Sequence, residues 1–391
     1  MPEIHISPRG FDLLPFLQYG IAGVPRIPDE IILKTFGHLT PRPVGQINID
    51  TASRCNLKCI MCPLWSEQRK QDIHGGIMDF ELFQRILDIV SREAPHATVS
   101  LTPRGELFCH PRAMDICRVV RAAKYPLCFI TNATLLNGEK IRELFEIGTR
   151  EVRISIDGAT RGTYAAIRGK DKLYDVINAI LCFNKFNAAR EPQDRITIIL
   201  NFVLQDRNAA EAVAFLRYWT PLVHRVCILK WSTDKDSPHS SAALNKRFPA
   251  PARYPCLYPW MHMHIDVEGN VYPCCADGFV TMNMGNLATQ SLKSIWLGEK
   301  YMKLRQAMLE GDFSEHPTCA RCSNWNLTTR KNAITLDGLD CLLTEDIYSY
   351  SIHNQNPSPL DQFSASAYEQ RIQALMQDDA GMADLFIVRN P

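Results

Sequence analysis

Two hydrophobic patterns alternate along the middle of the chain, one typical of strands and one typical of helices. Every second residue of GQINIDT is apolar, which predicts a strand. MDFELFQRILDIVSREA repeats its apolar residues at helical spacing and predicts a helix. Further strands are predicted in HATVSLT, LCFITNAT, EVRISIDG, RITIILNFVLQ and VHRVCILKW, with helices between them in PRAMDICRVVRAAKY, NGEKIRELFEIG, YDVINAILCFNKFNAAR and NAAEAVAFLRYW. About six successive strand–helix units predict an α/β fold, a partial (β/α)6 barrel of the TIM type.

The pattern changes on both sides of this region, which gives the domain boundaries. Residues 1–45 are rich in Pro and Gly and predict an N-terminal arm with one helix in PDEIILKTFGHL. The barrel is predicted to cover residues 46–235. Residues 236–330 then combine a linker, STDKDSPHSSAALNKRFPAPARYP, with a cysteine-rich domain. Residues 331–391 form a C-terminal extension without a recognisable motif, ending in a predicted surface helix, SAYEQRIQALMQDD.

Composition narrows the classes of protein. A chain of 391 residues with 46% hydrophobic residues can bury a full core, and a formal net charge of +1 gives no general attraction to nucleic acid or to an anionic membrane. There is no apolar run of about 18 residues that would span a membrane. The N-terminus lacks a basic-then-apolar signal pattern, and the chain has 14 cysteines. We therefore expect a cytoplasmic protein whose thiols serve metals.

Three of these cysteines lie together directly after the first predicted strand. The stretch RCNLKCIMC places Cys55, Cys59 and Cys62 in a loop that, in an α/β barrel, belongs to the active face. Structural zinc prefers four ligands, whereas three thiolates can hold an iron–sulfur cube and leave its fourth iron free. A zinc site, or chance in a cysteine-rich chain, is the alternative interpretation.

The spacing CxxxCxxC in this position resembles the signature of the radical S-adenosylmethionine (SAM) superfamily. The resemblance implies a [4Fe–4S] cluster on Cys55, Cys59 and Cys62, with SAM bound to the fourth iron through its amino and carboxyl groups. It also implies that an electron, delivered from an external flavodoxin or ferredoxin, cleaves SAM to methionine and a 5′-deoxyadenosyl radical. The protein would orient the cofactors and exclude water.

The loop after the second predicted strand resembles another part of the family pattern. LTPRGELFCHP corresponds to the Gly-Gly-Glu-Pro stretch, whose Glu holds the amino group of SAM. Gly105 and Glu106 match it, while Arg104 and Leu107 replace its first Gly and its Pro. Cys109 in the same loop is a candidate hydrogen donor to a substrate radical, the role that an epimerase requires. A packed loop thiol is the alternative.

Two later strand ends resemble the rest of the SAM site. ISIDGATRGTYAAIRG is similar to the Ser-x-Asp-Gly segment, in which the Ser and a downstream Arg contact SAM; Ser155, Asp157 and Arg168 match it. ITNATLL is similar to a Thr-Asn-Gly segment, with Asn132 in place and Ala133 where Gly is usual.

Met61 replaces the aromatic residue that often packs near the adenine, and its thioether can make a soft apolar contact there.

Each site residue also has an ordinary structural interpretation. Glu106 could be a solvated loop residue, Ser155 could satisfy the backbone at a strand end, and Arg168 could pair with a surface carboxylate.

A second cysteine set follows the linker. MHMHIDVEGNVYPCC predicts a β-hairpin, SLKSIWLGEKYMKLRQAMLEG a helix, and CARC comes after it. GxxxxC from Gly269, with the later CxxC, resembles the SPASM extension of radical SAM enzymes. Because SNWNLTTRKNAITLDGLD contains no cysteine, the resemblance implies the shorter twitch form with one auxiliary [4Fe–4S] cluster. Its implied ligands are Cys256, Cys274, Cys319 and Cys322. A zinc ribbon is the alternative.

An auxiliary cluster with four protein ligands has no free iron for substrate, so we expect it to carry an electron. This favours net oxidation of a small polar substrate, and twitch-type relatives act on sugar-like or cyclitol alcohols. Peptide modification is the main alternative, although the 45-residue arm is short for the peptide-recognition domain of about 80–90 residues that needs its own core. A sugar epimerase and a non-enzymatic zinc scaffold are the other hypotheses.

Overall fold

A computed structural model describes most of the chain. The described residues are 4–5, 43–65, 76–101, 104–230, 255–275, 281–322, 330–345, 349–355, 357 and 365–378. The predicted helix of the N-terminal arm and nearly all of the predicted linker lie outside them. No helix in the described ranges is both long enough and apolar enough to cross a membrane.

The described strands form one sheet with a parallel centre. In chain order they are β1 (Ile4–His5), β2 (Gln46–Ile49), β3 (Thr98–Leu101), β4 (Leu127–Thr131), β5 (Thr149–Ser155), β6 (Thr197–Leu204), β7 (Arg225–Lys230), β8 (His262–Ile265), β9 (Asn270–Tyr272), β10 (Gly285–Asn286), β11 (Arg330–Leu336), β12 (Leu339–Glu345) and β13 (Ser349–Asn354). Their order across the sheet is β1-β11-β12-β13-β7-β6-β5-β4-β3-β2-β8-β9-β10. Strands β2 to β7 are successive parallel neighbours, which confirms the predicted partial barrel.

Helices connect the parallel strands, as the hydrophobic periodicity predicts. The described helices are α1 (Phe80–Glu93), α2 (Ala113–Ala122), α3 (Gly138–Ile147), α4 (Arg161–Arg168), α5 (Leu173–Ala188), α6 (Ala212–Trp219), α7 (Tyr258–Met261), α8 (Leu292–Trp296), α9 (Glu299–Glu310), α10 (Pro317–Arg321) and α11 (Ala365–Asp378). Helix α1 shows the local causes: the Asp79 side chain caps it by accepting from Leu82 N, and its buried residues recur at helical spacing. Helix α4 was not predicted.

The two faces of the parallel sheet have different chemistry. Val152 and Ile154 of β5 are fully buried and join the main core with the helices, whereas Arg153 and Ser155, which alternate with them, are partly exposed. Because successive strand residues point to opposite faces, Arg153 and Ser155 lie on the concave face of the partial barrel. The concave face therefore carries polar side chains from β5, while Ile130 of β4 and Ile199 of β6 lie at the register of Arg153.

The cysteine-rich domain joins the sheet at the β2 edge. Strand β8 runs parallel to β2 and forms the predicted hairpin with β9. The prediction of a single helix after the hairpin is wrong, because the structure has two helices, α8 and α9, separated by Leu297 and Gly298. A Cβ on Gly298 would lie 2.7 Å from the Ser294 carbonyl oxygen, so glycine permits the close turn between the two helices.

The C-terminal extension continues the sheet at the opposite edge. Strands β11, β12 and β13 are antiparallel, and β13 pairs with β7. Helix α11 packs against α6, with the rings of Tyr368 and Tyr218 4.7 Å apart. Tyr368 and Ile372 are fully buried, so the predicted surface helix has an apolar face that belongs to the core.

Candidate cofactor site

The loop that carries Cys55, Cys59 and Cys62, hereafter the barrel cysteines, starts with a buried carboxylate. Asp50 lies immediately after β2, where one of its oxygens accepts from Ala52 N at 3.2 Å and the other from Ser53 Oγ at 2.9 Å. These two hydrogen bonds turn the chain out of the sheet. Burial raises the pKa of Asp50 to about 6, although the positive charge of Arg104 opposes the shift.

The barrel cysteines face a common space at the barrel mouth. Cys62 N donates to Cys59 O at 3.0 Å, and Leu57 N lies 3.4 Å from the Cys55 sulfur. Burial, together with the nearby charges of Glu106, Cys59 and Cys62, raises the pKa of Cys55 to about 12. Thiols in such a place stay protonated unless a cation binds them, and an iron cluster supplies that positive charge. The donor set therefore fits an iron–sulfur cluster.

The C-terminal end of α4 supports the cysteine loop from one side. Ile60 N donates to Ile167 O at 2.9 Å, and Lys58 N donates to Arg168 O at 3.3 Å. Gly169 follows with φ +78°, and a Cβ there would lie 2.6 Å from Lys58 O. Only glycine permits this approach, which fixes the helix end against the loop.

The loop after β3 supports the cysteine loop from the other side. Gly105 N donates to Ala52 O at 3.0 Å, and Glu106 N donates to Arg54 O at 2.7 Å. A Cβ on Gly105 would lie 2.1 Å from Arg54 O, so no other residue fits without moving the backbone. The match of Gly105 to the family pattern thus has a physical cause.

Glu106 is buried and held in place by hydrogen bonds. Its Oε1 accepts from Thr131 Oγ1 at 2.6 Å and from Phe108 N at 3.3 Å, and its Oε2 accepts from Asn132 N at 2.7 Å. Burial raises its pKa, and these three donors oppose that shift. Glu106 is therefore not a solvated loop residue. Because Oε2 accepts only one described bond, it retains capacity for a cationic donor such as the amino group of SAM.

Asn132 links the end of β4 to the cysteine loop. Its Nδ2 donates to Asn56 Oδ1 at 2.9 Å and lies 3.7 Å from the Cys55 sulfur. Its Oδ1 accepts from Thr134 N and Thr134 Oγ1. Ala133 has φ +60°, the left-handed region that favours glycine, which explains why the family usually has Gly at this position.

Arg168 lies inside the protein and contacts a barrel cysteine. Its Nη2 is 2.7 Å from Asp157 Oδ2, and its Nη1 is 3.6 Å from the Cys59 sulfur. Asp157 Oδ1 also accepts from Val203 N at 2.7 Å. Arg168 is 6% exposed and Asp157 is fully buried, so the interpretation of Arg168 as pairing with a surface carboxylate is wrong. Arg168 Nε has no hydrogen-bond partner in the described part of the chain, and its predicted contact with SAM stays a prediction.

The remaining candidates surround the same opening. Ser155 ends β5 beside Asn201 of β6 on the concave face. Met61 is buried in a small apolar cluster with Leu57 and Ile167. Cys109 is half-buried in the short turn Leu107–Cys109. Burial and the charge of Glu106 raise the pKa of its thiol, and the backbone N–H of Asn56 opposes that shift. The structure thus brings all the sequence-predicted barrel residues to one end of the sheet.

The second cysteine set gathers around the end of the β8–β9 hairpin. Asp266 shapes the turn by accepting from Glu268 N and Asn270 N, and Gly269 has φ +82°. Cys274 follows β9 and is half-buried. Burial raises its pKa, and so do four neighbouring thiols, those of Cys275, Cys256, Cys319 and Cys322. The four predicted ligands therefore lie together, with the exposed Cys275 beside them.

In the described ranges, no group of three or more His, Cys, Asp or Glu side chains is placed to hold a single metal ion.

A polar contact that sequence reasoning missed joins the barrel sheet to the β8–β9 hairpin. Asn48 of β2 and His264 of β8 are hydrogen-bonded at 2.9 Å between Nδ2 and Nε2, and the Arg104 guanidinium lies 5.0 Å from the Tyr272 ring centre. Burial lowers the pKa of His264 to about 3, so its imidazole is neutral. The alternation of Gln46, Asn48 and Asp50 along β2 was the available signal, because it places polar side chains on the concave face.

Comparison with known proteins agrees with both sites. The radical SAM superfamily profile matches residues 49–212, and that of the SPASM iron–sulfur cluster-binding domain matches residues 256–323. These matches confirm the expected cofactors: a [4Fe–4S] cluster with SAM for the barrel, and auxiliary iron–sulfur binding for the second domain.

Two relatives differ in how much of their length is matched. The tungsten-containing aldehyde ferredoxin oxidoreductase cofactor-modifying protein of Pyrococcus furiosus is 38% identical over 109 residues, which are 28% of this chain and only 30% of that protein. The S-adenosyl-L-methionine-dependent 2-deoxy-scyllo-inosamine dehydrogenase of Niallia circulans is 23% identical over 296 residues, which are 73% of this chain and 96% of that protein.

A solved structure shares the fold. Streptococcus suis SuiB bound to precursor peptide SuiA has a TM-score of 0.53 at 16% identity, over 75% of this chain and 76% of that chain. At this identity the likeness concerns architecture alone. The barrel cysteines, the loops that hold them and the two profile matches together show that the chain belongs to the radical SAM superfamily and carries a C-terminal domain of the SPASM type.

Proposed function

We propose that the protein is a radical SAM oxidoreductase that converts a secondary alcohol of a cyclitol- or sugar-like substrate to a ketone. The relative that supports this proposal is the 2-deoxy-scyllo-inosamine dehydrogenase, because the alignment covers nearly its whole length. Oxidation of such an alcohol removes one hydrogen atom, one proton and one electron. An external flavodoxin- or ferredoxin-type donor supplies the priming electron.

The observation that carries the proposal is the pairing of β8 with β2. Gln46 pairs with His262 and Ile49 with Ile265, so the hairpin of the auxiliary domain extends the barrel sheet. In the β8–β9 hairpin His264 pairs with Tyr272, the last residue of β9, and Cys274 follows two residues later. The barrel cysteines follow the C-terminal end of β2. Both cysteine sets are therefore attached to strands of one continuous sheet.

When bound, the barrel cluster and SAM supply hydrogen-atom abstraction, and the auxiliary cluster supplies an electron acceptor. The residues of this chain hold the cofactors and orient the substrate. Glu106 and Asn132 fix the wall of the SAM site, while Asn48, His264 and Ser155 present polar groups on the face where a hydroxylated substrate would bind. The neutral imidazole of His264 can donate or accept a hydrogen bond without adding charge.

The test is turnover of the reconstituted enzyme under anaerobic conditions with SAM and a chemical reductant. A panel of cyclitols, aminocyclitols and sugars, each deuterated at the reacting carbon, is compared with a panel of short peptides. The expected result is a ketone in equal amount to 5′-deoxyadenosine, with deuterium transferred into 5′-deoxyadenosine. Peptide-dependent cleavage of SAM, with no ketone from any polyol, would contradict the proposal.

Epimerisation is the second candidate, and the position of Cys109 favours it specifically. The thiol is half-buried and lies against the backbone of Asn56 in the cysteine loop. An epimerase would give product of unchanged oxidation state with one solvent-derived hydrogen, and Cys109→Ala would stop that incorporation. A dehydrogenase shows neither effect, so mass spectrometry of the product distinguishes the two.

A further inference from the structure

A buried ion pair is aimed at one barrel cysteine. Arg168 and Asp157 have side chains 8% and 0% exposed and meet at 2.7 Å, while the other guanidinium nitrogen of Arg168 lies 3.6 Å from the Cys59 sulfur. The positive end of the pair therefore faces the sulfur and the negative end faces away from it.

The surrounding backbone holds this orientation. Asp157 Oδ1 accepts from Val203 N at 2.7 Å, and Arg168 O accepts from Lys58 N in the cysteine loop at 3.3 Å. Asp157 lies two residues after β5, and Arg168 is the last residue of α4. The orientation is therefore a property of the fold and not of a mobile surface side chain.

Charge placed beside a ligand sulfur acts on the cluster that the sulfur holds. Hydrogen bonds to the sulfurs and local charge are the main means by which a protein sets the potential of an iron–sulfur cluster. A guanidinium beside Cys59 stabilises the more negative, reduced state, and burial leaves this interaction poorly screened by water. Asp157 opposes that effect from further away.

We propose that Arg168 is a positioning residue that raises the reduction potential of the barrel cluster through Cys59, and that Asp157 moderates this effect. This role is separate from the predicted contact of Arg168 with SAM, and it does not depend on which substrate the enzyme oxidises.

The test is the midpoint potential of the barrel cluster, followed by electron paramagnetic resonance in reconstituted full-length protein without SAM. The signal of the barrel cluster is identified by its change when SAM is added afterwards. Arg168→Gln should lower the reduction equilibrium constant at least tenfold, a shift of 59 mV for a one-electron couple. Arg168→Lys, which keeps the charge, should recover part of that shift.

Asp157→Asn should shift the midpoint potential of the barrel cluster in the opposite direction. Asparagine keeps an acceptor for Val203 N but removes the opposing charge, so the potential should rise. Arg161→Gln is the matched control, because Arg161 lies on the same helix, is exposed and pairs with the exposed Asp171. That variant should keep the wild-type potential.

A merely structural role would move stability or iron content without opposite shifts in potential. Wild-type potentials in Arg168→Gln and Asp157→Asn, both with full iron content, would overturn the proposal, and so would shifts of the same sign. If Arg168→Gln does not fold, the Asp157→Asn variant decides: a rise in potential supports the proposal, and no rise refutes it.

Discussion

Replacing Glu106 with Gln tests the proposed SAM site at a carboxylate that accepts three hydrogen bonds. The carboxylate accepts three donors, from Thr131 Oγ1, Phe108 N and Asn132 N. A glutamine amide cannot accept all three. If the amide nitrogen of Gln takes the place of Oε2, two N–H donors face each other, because Asn132 N also donates there. If it takes the place of Oε1, the same conflict arises with Phe108 N. Either orientation leaves buried donors unsatisfied and removes the negative charge.

The magnitude follows from these contacts. A hydrogen bond to a charged group contributes about 1.5–3 kcal/mol. Losing such a bond to the amino group of SAM corresponds to an increase of about 10- to 150-fold in its Kd. The unsatisfied donor lowers the free energy of unfolding by about 1–3 kcal/mol as well. Iron content should not change, because Glu106 does not contact a barrel cysteine in the described hydrogen bonds.

The assay is anaerobic calorimetric titration of SAM into reconstituted protein, with iron content and thermal unfolding measured on the same samples. Thr131→Val is the matched control. It removes one donor to Glu106 and destabilises the protein, yet it keeps the carboxylate charge, so SAM affinity should fall much less than in Glu106→Gln. Wild-type SAM affinity in folded, iron-replete Glu106→Gln would show that Glu106 supports the loop only and that the family alignment of this loop is wrong.

Three further predictions concern the clusters and the start of the cysteine loop. Replacing the barrel cysteines with Ala should remove about half of roughly eight irons and abolish reductive cleavage of SAM; residual cleavage would contradict their assignment. Replacing Cys319 and Cys322 with Ala should leave SAM cleavage intact but stop ketone release, once circular dichroism shows a folded variant, and ketone at the wild-type rate would rule out electron transfer through this cluster. Asp50 has its pKa raised from 3.8 to about 6 in the folded state, so its stabilising effect is complete below about pH 4 and is lost as pH rises through 6. Asp50→Asn should therefore gain about 1 kcal/mol of stability relative to wild type between pH 5 and 7, and a difference that is constant across this range in denaturant unfolding would refute the assignment.

Residues whose roles depend on local pattern were predictable from the sequence. The alternation in GQINIDT and the helical spacing in MDFELFQRILDIVSREA gave β2 and α1, and the cysteine spacing placed the barrel cysteines after β2. For these elements the physical cause acts within a few residues of chain or at one strand end. Gly105 is different: it was predicted from the family pattern, and its physical cause is the tight contact with Arg54 O, 51 residues earlier.

Residues whose roles depend on distant partners were not predictable in this way. The environment of Arg168 is set by Asp157, 11 residues earlier, and by Cys59, 109 residues earlier, so no local pattern shows that it is buried. The strands of the C-terminal extension are a different case. Asp337 and Gly338 have φ +48° and +82° and connect β11 to β12, and an Asp-Gly pair between apolar runs is a strong hairpin signal that could have predicted them.

Both edges of the six-stranded parallel sheet are extended by segments from outside the barrel. Strand β8 of the auxiliary domain pairs with β2, and β13 of the C-terminal extension pairs with β7. At the second edge Ser351 Oγ donates to the Cys227 sulfur at 3.2 Å, at the register level of Asn201 and Ser155 on the concave face. A partial barrel leaves its sides open, so the segments that extend those sides also flank the concave face. The β7 side lies beyond both matched profiles. Substitutions near Ser351 should therefore change substrate preference without changing SAM cleavage, which depends on the barrel residues.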